Sequence, residues 1–242
     1  MGDFHPDAQV NGFAGSNLIA FICIKYSLIF FPVFSMIKEY KIYFNNRFVV
    51  LSNSVPENPE QKYGLFYKYN GRKQLYKIIH EFEKNENIPS LLLVHSDLKK
   101  LWKKFKGYFK YIKAGGGFVR NELGEFLVIK RRGVWDLPKG KKSKKESIKQ
   151  AALREVSEES GIRSLKVVSY LHTTYHTYML KGRTALKKTK WYVMRTSSEE
   201  KLIPEKREKI TKIKWVSPEE ADTIIKDTFP SVADVITAGL EI

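Results

Sequence analysis

The spacing of hydrophobic and polar positions predicts the secondary structure of the chain after residue 37. Two β-rich runs, KIYF and RFVVLS, flank Asn45 and Asn46, which predicts a hairpin with a tight turn. The stretches GLFYKY and SLLLVHS predict strands, and LYKIIHEFEKN between them predicts a short helix. From Asp97 to about Ile112, apolar residues recur at helical spacing and predict an amphipathic helix. The members of that apolar stripe are Leu98, Leu101, Trp102, Phe105 and Phe109.

The second half of the chain continues with a predicted hairpin over FVRNELGEFLVIKRR. Ser147 with Gln150 three residues later is typical of a helix start, and Gly161 of a helix end. The alternating runs SYLHTTYHTYM and LKKTKWYVM predict two long strands. The final stretch EEADTIIKDTFPSVADVI predicts a helix, a break at Pro230 and a second helix.

The apolar run at residues 18–37 differs from everything that follows it. Its length suits a membrane helix, but Lys25 and Pro32 interrupt it. Three hypotheses stay open: a single membrane anchor, a helix packed on the body of the protein, or a segment foreign to the native protein. We favour the third, with Met36 as the true start, and we leave residues 1–35 out of the functional argument.

The run Ala114 to Gly117 marks a predicted domain boundary, because its glycines interrupt any helix. We therefore expect three parts. Residues 1–35 form an apolar extension, residues 36–112 a small α/β domain of unknown role, and residues 113–242 a second domain that carries the chemistry.

The formal net charge of +17 favours polyanionic partners, such as nucleotides, nucleic acid or an anionic membrane surface, although it is also explained by solubility alone. The lysines of the helix near residue 100 are explained either as a solvated basic face or as an attraction for phosphorylated ligands. No nucleic-acid-binding motif is visible, so a nucleic-acid partner stays open. The single cysteine, Cys23, excludes an internal disulfide. Without zinc-type Cys and His spacing, any metal should be a hard ion bound by oxygen.

Three acidic residues crowd one turn of the helix predicted between Ser147 and Gly161. At about 100° per residue, Glu155, Glu158 and Glu159 fall on one side of that helix. Carboxylates this close stay ionised only if cations neutralise them. Mg²⁺ prefers carboxylate oxygens and keeps positions open for water or phosphate. The spacing therefore predicts a site for a divalent cation.

The complete pattern around these acids resembles the signature of a known family. Gly140, five residues, Glu146, seven residues, then Arg154-Glu155-Val156-x-Glu158-Glu159-x-Gly161-Ile162 matches the Nudix box at every defined position. The resemblance to Nudix hydrolases covers about residues 113–242 and does not extend to the segment before them. It implies an α/β/α sandwich with a mixed sheet, preceded here by the small α/β domain. It also implies Mg²⁺-dependent cleavage of a nucleoside diphosphate linked to a group X, with Mn²⁺ as an alternative metal.

The resemblance assigns roles to the box residues. Glu155, Glu158 and Glu159 are the implied metal ligands, together with the carbonyl of Gly140. Glu155, or a carboxylate from elsewhere, assists the attacking water, and Arg154 holds Glu155 in position. Glu146 supports the junction between loop and helix. Family members often add a carboxylate before the final strand, for which we prefer Glu208 over Glu205.

The sequence says less about the substrate than about the metal site. Lys139 and Lys141 flank the loop and could bind phosphate, while aromatic residues could stack on a base. Tyr178 stands sixteen residues after Ile162, a spacing that marks the dinucleoside-polyphosphate branch of the family. The aromatic candidates are Trp135, Tyr175, Tyr178, Trp191 and Tyr192.

We favour a dinucleoside polyphosphate over a nucleoside triphosphate. Capped or triphosphorylated RNA ends, inositol pyrophosphates and a non-catalytic nucleotide-binding regulator stay open as alternatives. We expect a cytoplasmic protein without membrane contact, and the sequence leaves its oligomeric state open.

Overall fold

The computed structural model describes residues 19–24, 27–32 and 39–242. The first two ranges are strands β1 (Ile19–Ile24) and β2 (Ser27–Pro32), which pair antiparallel with Ile19 opposite Pro32. They belong to a separate unit, residues 1–37, while residues 38–242 form one compact unit. Either helical hypothesis for residues 18–37 is therefore wrong over β1 and β2, where Ile and Phe side chains favour strands. The hypothesis that Met36 is the true start lies outside the described residues.

The larger unit begins with the elements predicted for it. The first part contains β3 (Glu39–Phe44), β4 (Arg47–Ser52), α1 (Pro59–Lys62), β5 (Leu65–Lys68), α2 (Arg72–Lys84), β6 (Ser90–Val94) and α3 (Leu98–Lys106). Asn45 and Asn46 form the turn of the predicted hairpin, and Asn45 takes the left-handed conformation with φ 55°. Asp97 caps α3 by accepting a hydrogen bond from the Lys100 amide at 2.9 Å.

The second part contains the remaining strands and helices. These are β7 (Lys110–Arg120), β8 (Phe126–Arg131), β9 (Val134–Asp136), β10 (Lys139–Lys141), α4 (Ile148–Ser160), β11 (Lys166–Leu180), β12 (Arg183–Arg195), β13 (Ile210–Val216), α5 (Ala221–Lys226) and α6 (Pro230–Leu240). The two long strands and the pair of final helices broken at Pro230 confirm the pattern read from the sequence.

The strands of the larger unit form one mixed sheet. Its order is β13-β8-β7-β12-β11-β3-β4-β6-β5, with β10 added to β7 and β9 added to β8. Two parallel pairs hold its middle together. Strand β12 pairs with β7 from Ala185 opposite Lys110 to Arg195 opposite Arg120, and β11 pairs with β3 through Tyr175 and His176. Strand β3 thus joins the first part of the chain to the edge of the second.

Helices cover both faces of this sheet and bury separate apolar clusters. Residues of α2 and α3 pack with β3, β4 and β6 around Phe82 and Phe105, which are both fully buried. Helix α4 packs on β7 through Ala152 and Val156, and α6 packs on the opposite face around Phe118. The mixed sheet between helices confirms the predicted α/β class. None of the helices in the described part of the chain is long and apolar enough to cross a membrane.

Two sequence expectations differ from the structure at the start of β7. The helix predicted to reach Ile112 ends at Lys106, because residues from Lys110 onward pair with β12 instead. The glycines after Ala114 lie inside β7, where α4 crosses so closely that a Cβ on Gly115 would overlap Ile148. The sheet continues through residue 112, and the division into domains at that point stays a prediction.

Candidate active site

Helix α4 has strong signals at both ends, which fix the positions of the acidic residues along it. The Ser147 hydroxyl accepts from the Gln150 amide and the Gln150 side chain accepts from the Ser147 amide, a complete capping box. Gly161 ends the helix with φ 80°, a conformation that glycine adopts without strain. Helix α4 packs on the sheet through Ala152 and Val156, whereas the Glu158 side chain is exposed and those of Arg154 and Glu155 are partly exposed.

Arg154 joins three carboxylates into one network. Its Nη2 contacts Glu146 Oε1 at 2.8 Å, and its Nη1 contacts Glu155 Oε1 at 2.8 Å and Glu158 Oε2 at 2.9 Å. It also donates to the carbonyl of Lys141 at 3.2 Å, which ties α4 to the preceding loop. The hydrogen bonds from Arg154 lower the pKa of Glu146 to about 2. One guanidinium therefore compensates acids that would otherwise repel one another.

Glu155 lies directly against the backbone of Gly140. A Cβ at position 140 would overlap the Glu155 carboxyl group, so the glycine leaves the space that this carboxyl fills. Burial raises the pKa of Glu155, Arg154 opposes that rise, and the charges of Glu158 and Glu208 add to it. Glu208 ends the short 3-10 turn Lys206–Glu208, and its side chain is 56% exposed. The structure thus brings the largely buried Glu155 near the exposed Glu158 and Glu208, as expected from the sequence.

Glu159 points in a different direction and is only 2% exposed. Its Oε1 accepts from Arg131 at 3.0 Å and its Oε2 accepts from the Lys139 amide at 2.8 Å. Burial raises its pKa to about 7 against the opposing charges of Lys139 and Arg131. Both oxygens are already bonded to protein donors, so the structure does not bring Glu159 into the exposed acidic group. Its assignment as a metal ligand stays a prediction.

A cavity of about 380 Å³ lies next to these residues. Arg131 and Lys139 both line the cavity and contact Glu159, and Arg131 Nη1 also lies 3.8 Å from Oε2 of Glu208, so the cavity adjoins the acidic site. Residues of β3, β8, β9, β11, β12 and α6 complete the wall. Among them, Lys187 has its pKa lowered to about 8 by burial and by the nearby cations of Lys139 and Arg131. Burial also lowers the pKa of His176, to about 3, so this imidazole is neutral at pH 7.

The predicted substrate residues fall in different environments. Tyr178 lines the cavity, and so does Lys139, although its ammonium group is buried in an ion pair with Asp136. Lys141 is exposed at the end of β10.

The other aromatic candidates lie away from the cavity lining. Trp135 packs with Lys130 and Lys214 over its ring, at 5.2 and 5.5 Å from its centroid. Tyr192 packs beside Val156 under α4, and the two remaining candidates, Tyr175 and Trp191, are buried at 8% and 1% exposure.

Sequence reasoning missed several residues of this site. Arg131, which binds Glu159, ends a predicted strand and carries no signal of its own in the sequence. His176 and Lys187 lie on alternating strands where they could face either side of the sheet. Tyr43 and Asn45 come from the first part of the chain, which no motif connects to the box.

Within residues 39–242, no group of three or more His, Cys, Asp or Glu side chains is arranged to hold a metal ion. The donors nevertheless have the chemistry that a hard divalent cation needs. Glu155 and Glu158 are neighbouring carboxylates, and Glu155 lies against the backbone of Gly140, where no side chain intervenes. Arg154 Nη1 lies between their oxygens, so a positive charge at this position is already compatible with both acids.

Comparisons with known proteins identify the family of the chain. The family model of the NUDIX domain matches residues 110–237. A curated protein of Bacillus subtilis (strain 168), named "Putative 8-oxo-dGTP diphosphatase", is 42% identical over 53 residues, which is 21% of this chain and 36% of that protein. The match therefore spans about a third of that relative's length.

Solved structures of similar proteins include a C. elegans Ap4A hydrolase in a binary complex, at 25% identity and TM-score 0.41, covering 54% of this chain and 93% of that one. A MutT protein from Methanosarcina mazei Go1 is 27% identical with TM-score 0.42, covering 54% of this chain and 94% of that one. Because the family model covers more than half of its residues, the chain belongs to the Nudix family of hydrolases.

Proposed function

We propose that the protein hydrolyses the pyrophosphate linkage of a nucleoside diphosphate joined to a group X, with Mg²⁺ as the metal and Mn²⁺ as an alternative. The observation that supports this most is the position of Arg154. One of its nitrogens lies within 2.9 Å of oxygens from both Glu155 and Glu158, and the side chain also anchors the loop through Lys141. The box therefore gathers three carboxylates around one guanidinium, so an excess of negative charge remains for a metal ion to offset.

Glu155, Glu158 and the carbonyl of Gly140 are the proposed metal ligands, and Glu159 is a weaker candidate because its oxygens are occupied. When bound, the metal would offset the charge of the pyrophosphate and lower the pKa of an attacking water. Glu155, whose pKa is already raised by burial, is the proposed proton acceptor for that water. Glu208 is a second candidate for this role, because its charge acts on Glu155 from the facing turn.

The cavity next to the acids is the proposed place for the rest of the substrate. Its basic wall favours a polyanion, and Tyr178 offers an aromatic surface for a base. We propose a dinucleoside polyphosphate as the first candidate. A nucleoside triphosphate is the second candidate, favoured by the name of the Bacillus subtilis relative.

The test is a substrate panel with identification of the products. Purified protein is incubated with dinucleoside polyphosphates, nucleoside triphosphates and triphosphorylated RNA at increasing Mg²⁺, and the products are separated by ion exchange. Reaction in H₂¹⁸O shows which phosphorus the water attacks. We expect cleavage between phosphates that EDTA abolishes and that Glu158→Gln lowers at least tenfold. Tight nucleotide binding without hydrolysis of any substrate would contradict the proposal.

The matched control is Glu219→Gln, an exposed acid in the turn before α5, away from the box. This variant should keep the wild-type rate. Equal losses in both variants would show that the effect is a general response to removing negative charge.

A further inference from the structure

The cavity beside the acidic site is not built from the family-matched residues alone. Tyr43 and Asn45 line it, and both lie outside residues 110–237. They belong to the β3–β4 hairpin, with Tyr43 on the strand and Asn45 in the turn. The hairpin therefore supplies a wall that the family domain lacks.

Three contacts fix this wall to the family domain. Tyr43 is the parallel partner of His176 in the pairing of β3 with β11. The Thr177 hydroxyl donates to the Tyr43 carbonyl at 3.3 Å, and the Tyr43 hydroxyl donates to Asp234 on α6 at 2.5 Å. Tyr43 is 6% exposed, so its position is determined by packing as well as by hydrogen bonds. The hairpin is held on two sides of the cavity at once.

Two groups facing the cavity lack partners in the described part of the chain. His176 Nδ1 is buried and has no hydrogen-bond partner among residues 39–242. Lys187 lines the same cavity and forms no ion pair with an acidic side chain of that range. Enclosed polar groups without partners are costly, and such groups at a cavity indicate that a ligand completes them.

The other cations of the cavity are already compensated. Lys139 pairs with Asp136, and Arg131 pairs with Glu159 at 3.0 Å. Lys187 and the exposed Arg132 at the rim remain available, because the two carboxylates nearest to Lys187, those of Asp136 and Glu159, are already paired with Lys139 and Arg131. An uncharged ligand would leave these two cations uncompensated, whereas an anionic group would offset them.

We propose that the β3–β4 hairpin completes the substrate cavity, and that the cavity selects an X group carrying its own negative charge, held by Lys187 and Arg132 with Asn45 at the rim. This inference rests on the proposed function, because it assigns the cavity to X. It gives the segment before the family domain a role in specificity. Tyr43 acts as a positioning residue through its bonds to β11 and α6.

The experiment compares two substrates that share an adenosine diphosphate part. Diadenosine tetraphosphate carries an anionic X, and ADP-glucose carries a neutral one. The measured quantity is the ratio of their kcat/KM values, first substrate over second. Lys187→Met should lower this ratio about tenfold or more, mainly through KM for the anionic substrate. The control is Lys188→Met, the next residue of β12, which points to the opposite face and should keep the ratio.

The hairpin is tested separately through Asn45. Asn45→Gly removes the side chain but suits the left-handed turn at φ 55°, so the backbone is retained. KM for diadenosine tetraphosphate should rise about threefold with kcat nearly constant. Asn58→Gly is the matched control, since Asn58 is also left-handed at φ 49° and lies outside the cavity lining.

Direct binding separates this inference from the proposed function. Affinities for diadenosine tetraphosphate and ADP-glucose are measured by calorimetry in EDTA, where no hydrolysis occurs. If no substrate is cleaved but Lys187→Met still weakens binding of the anionic compound selectively, the cavity assignment stands and the hydrolase proposal fails. If Lys187→Met unfolds the protein, Lys187→Gln replaces it. Equal binding and equal ratios in wild type, the Lys187 variant and Asn45→Gly would overturn the inference.

Discussion

Residues 39–109 and residues 110–237 contribute to the same cavity in different ways. In the later region, Glu155 and Glu158 lie within one turn of a helix, and Arg154 of the same turn contacts both of them. In the earlier region, Tyr43 reaches the site only because β3 pairs with β11 and because its hydroxyl meets Asp234, 191 positions along the chain. Local spacing thus determines the proposed chemistry, whereas long-range pairing determines the shape of the space beside it.

The largest effect should come from removing the charge of Glu155, the first acid of the helical group. Glu155→Gln keeps the size of the side chain but loses its charge. We expect kcat to fall about 10³-fold, which is ~4 kcal/mol of transition-state stabilisation. Steady-state rates on the best substrate of the panel measure this. The melting temperature should stay within a few degrees of wild type, and a rate loss explained by unfolding would count against the assignment.

A smaller loss should follow from filling the space at Gly140. The Cβ of Gly140→Ala would overlap the Glu155 carboxyl, which must rotate away because it is the flexible end of its side chain. We expect kcat to fall about 10²-fold, or ~2.7 kcal/mol, with little change in stability. Gly107→Ala is the control, because a Cβ there meets its nearest neighbour at 3.2 Å and far from the acids. Unchanged activity in Gly140→Ala would show that the position of Glu155 is not critical.

The junction between the two regions should respond to pH through His176. Burial lowers the pKa of this imidazole to about 3, with Lys187 and Lys139 adding to the effect and Asp136 opposing it. The unfolded chain binds a proton near pH 6.5 and the folded chain does not, so stability falls as pH drops below that value. The slope from this group approaches ~1.4 kcal/mol per pH unit. In His176→Gln, the free energy of unfolding measured with urea should therefore change less between pH 6.5 and 4.5 than in the wild type. The control is His80→Gln, at an exposed histidine, which should keep the wild-type dependence on pH.

The smallest effect should come from the hydroxyl that links the hairpin to α6. Tyr43→Phe removes the hydrogen bond to Asp234 and should cost about 1.5 kcal/mol of unfolding free energy. For a unit of this size the melting temperature should fall by ~3–6 °C. Tyr67→Phe removes a hydroxyl whose partner, Asn70, lies at the surface, and should change little. Equal shifts in the two variants would mean that the Tyr43 bond does not hold the two regions together.

Most elements could be predicted from the sequence because their signals are local. The turn at Asn45, the cap at Ser147 and the end at Gly161 each depend on a few neighbouring residues. The end of α3 could not be predicted in this way. The apolar spacing continues to Phe109, but pairing with β12, more than seventy residues later, takes over from Lys110.

The candidate site likewise contains residues that local sequence patterns predict and residues that only the pairing of strands brings together. The box led to Glu155 and Glu158, which the structure places beside one guanidinium, and Glu208, chosen for its place before β13, lies near enough to act on Glu155 by its charge. Their roles stay predictions. The pairing of Glu159 with Arg131 could not be predicted, because Arg131 lies on β8, 28 residues earlier in the chain. Lys139 pairs with Asp136 only three residues away, but the strand spacing alone did not show that both side chains are buried. Which aromatic residues reach the cavity also depended on strand register, and only Tyr178 of those considered lines it.

The pairing of β3 with β11 has a consequence for shortened forms of the protein. Strand β11 is fifteen residues long, and on the side away from β12 its middle is bonded to β3. A fragment starting near residue 110 would keep every residue of the box but would leave unpaired amide and carbonyl groups along that edge. Such an edge can recruit a strand from another copy. Self-association of that fragment, measured by light scattering, would show that the hairpin prevents the edge of β11 from pairing with another copy.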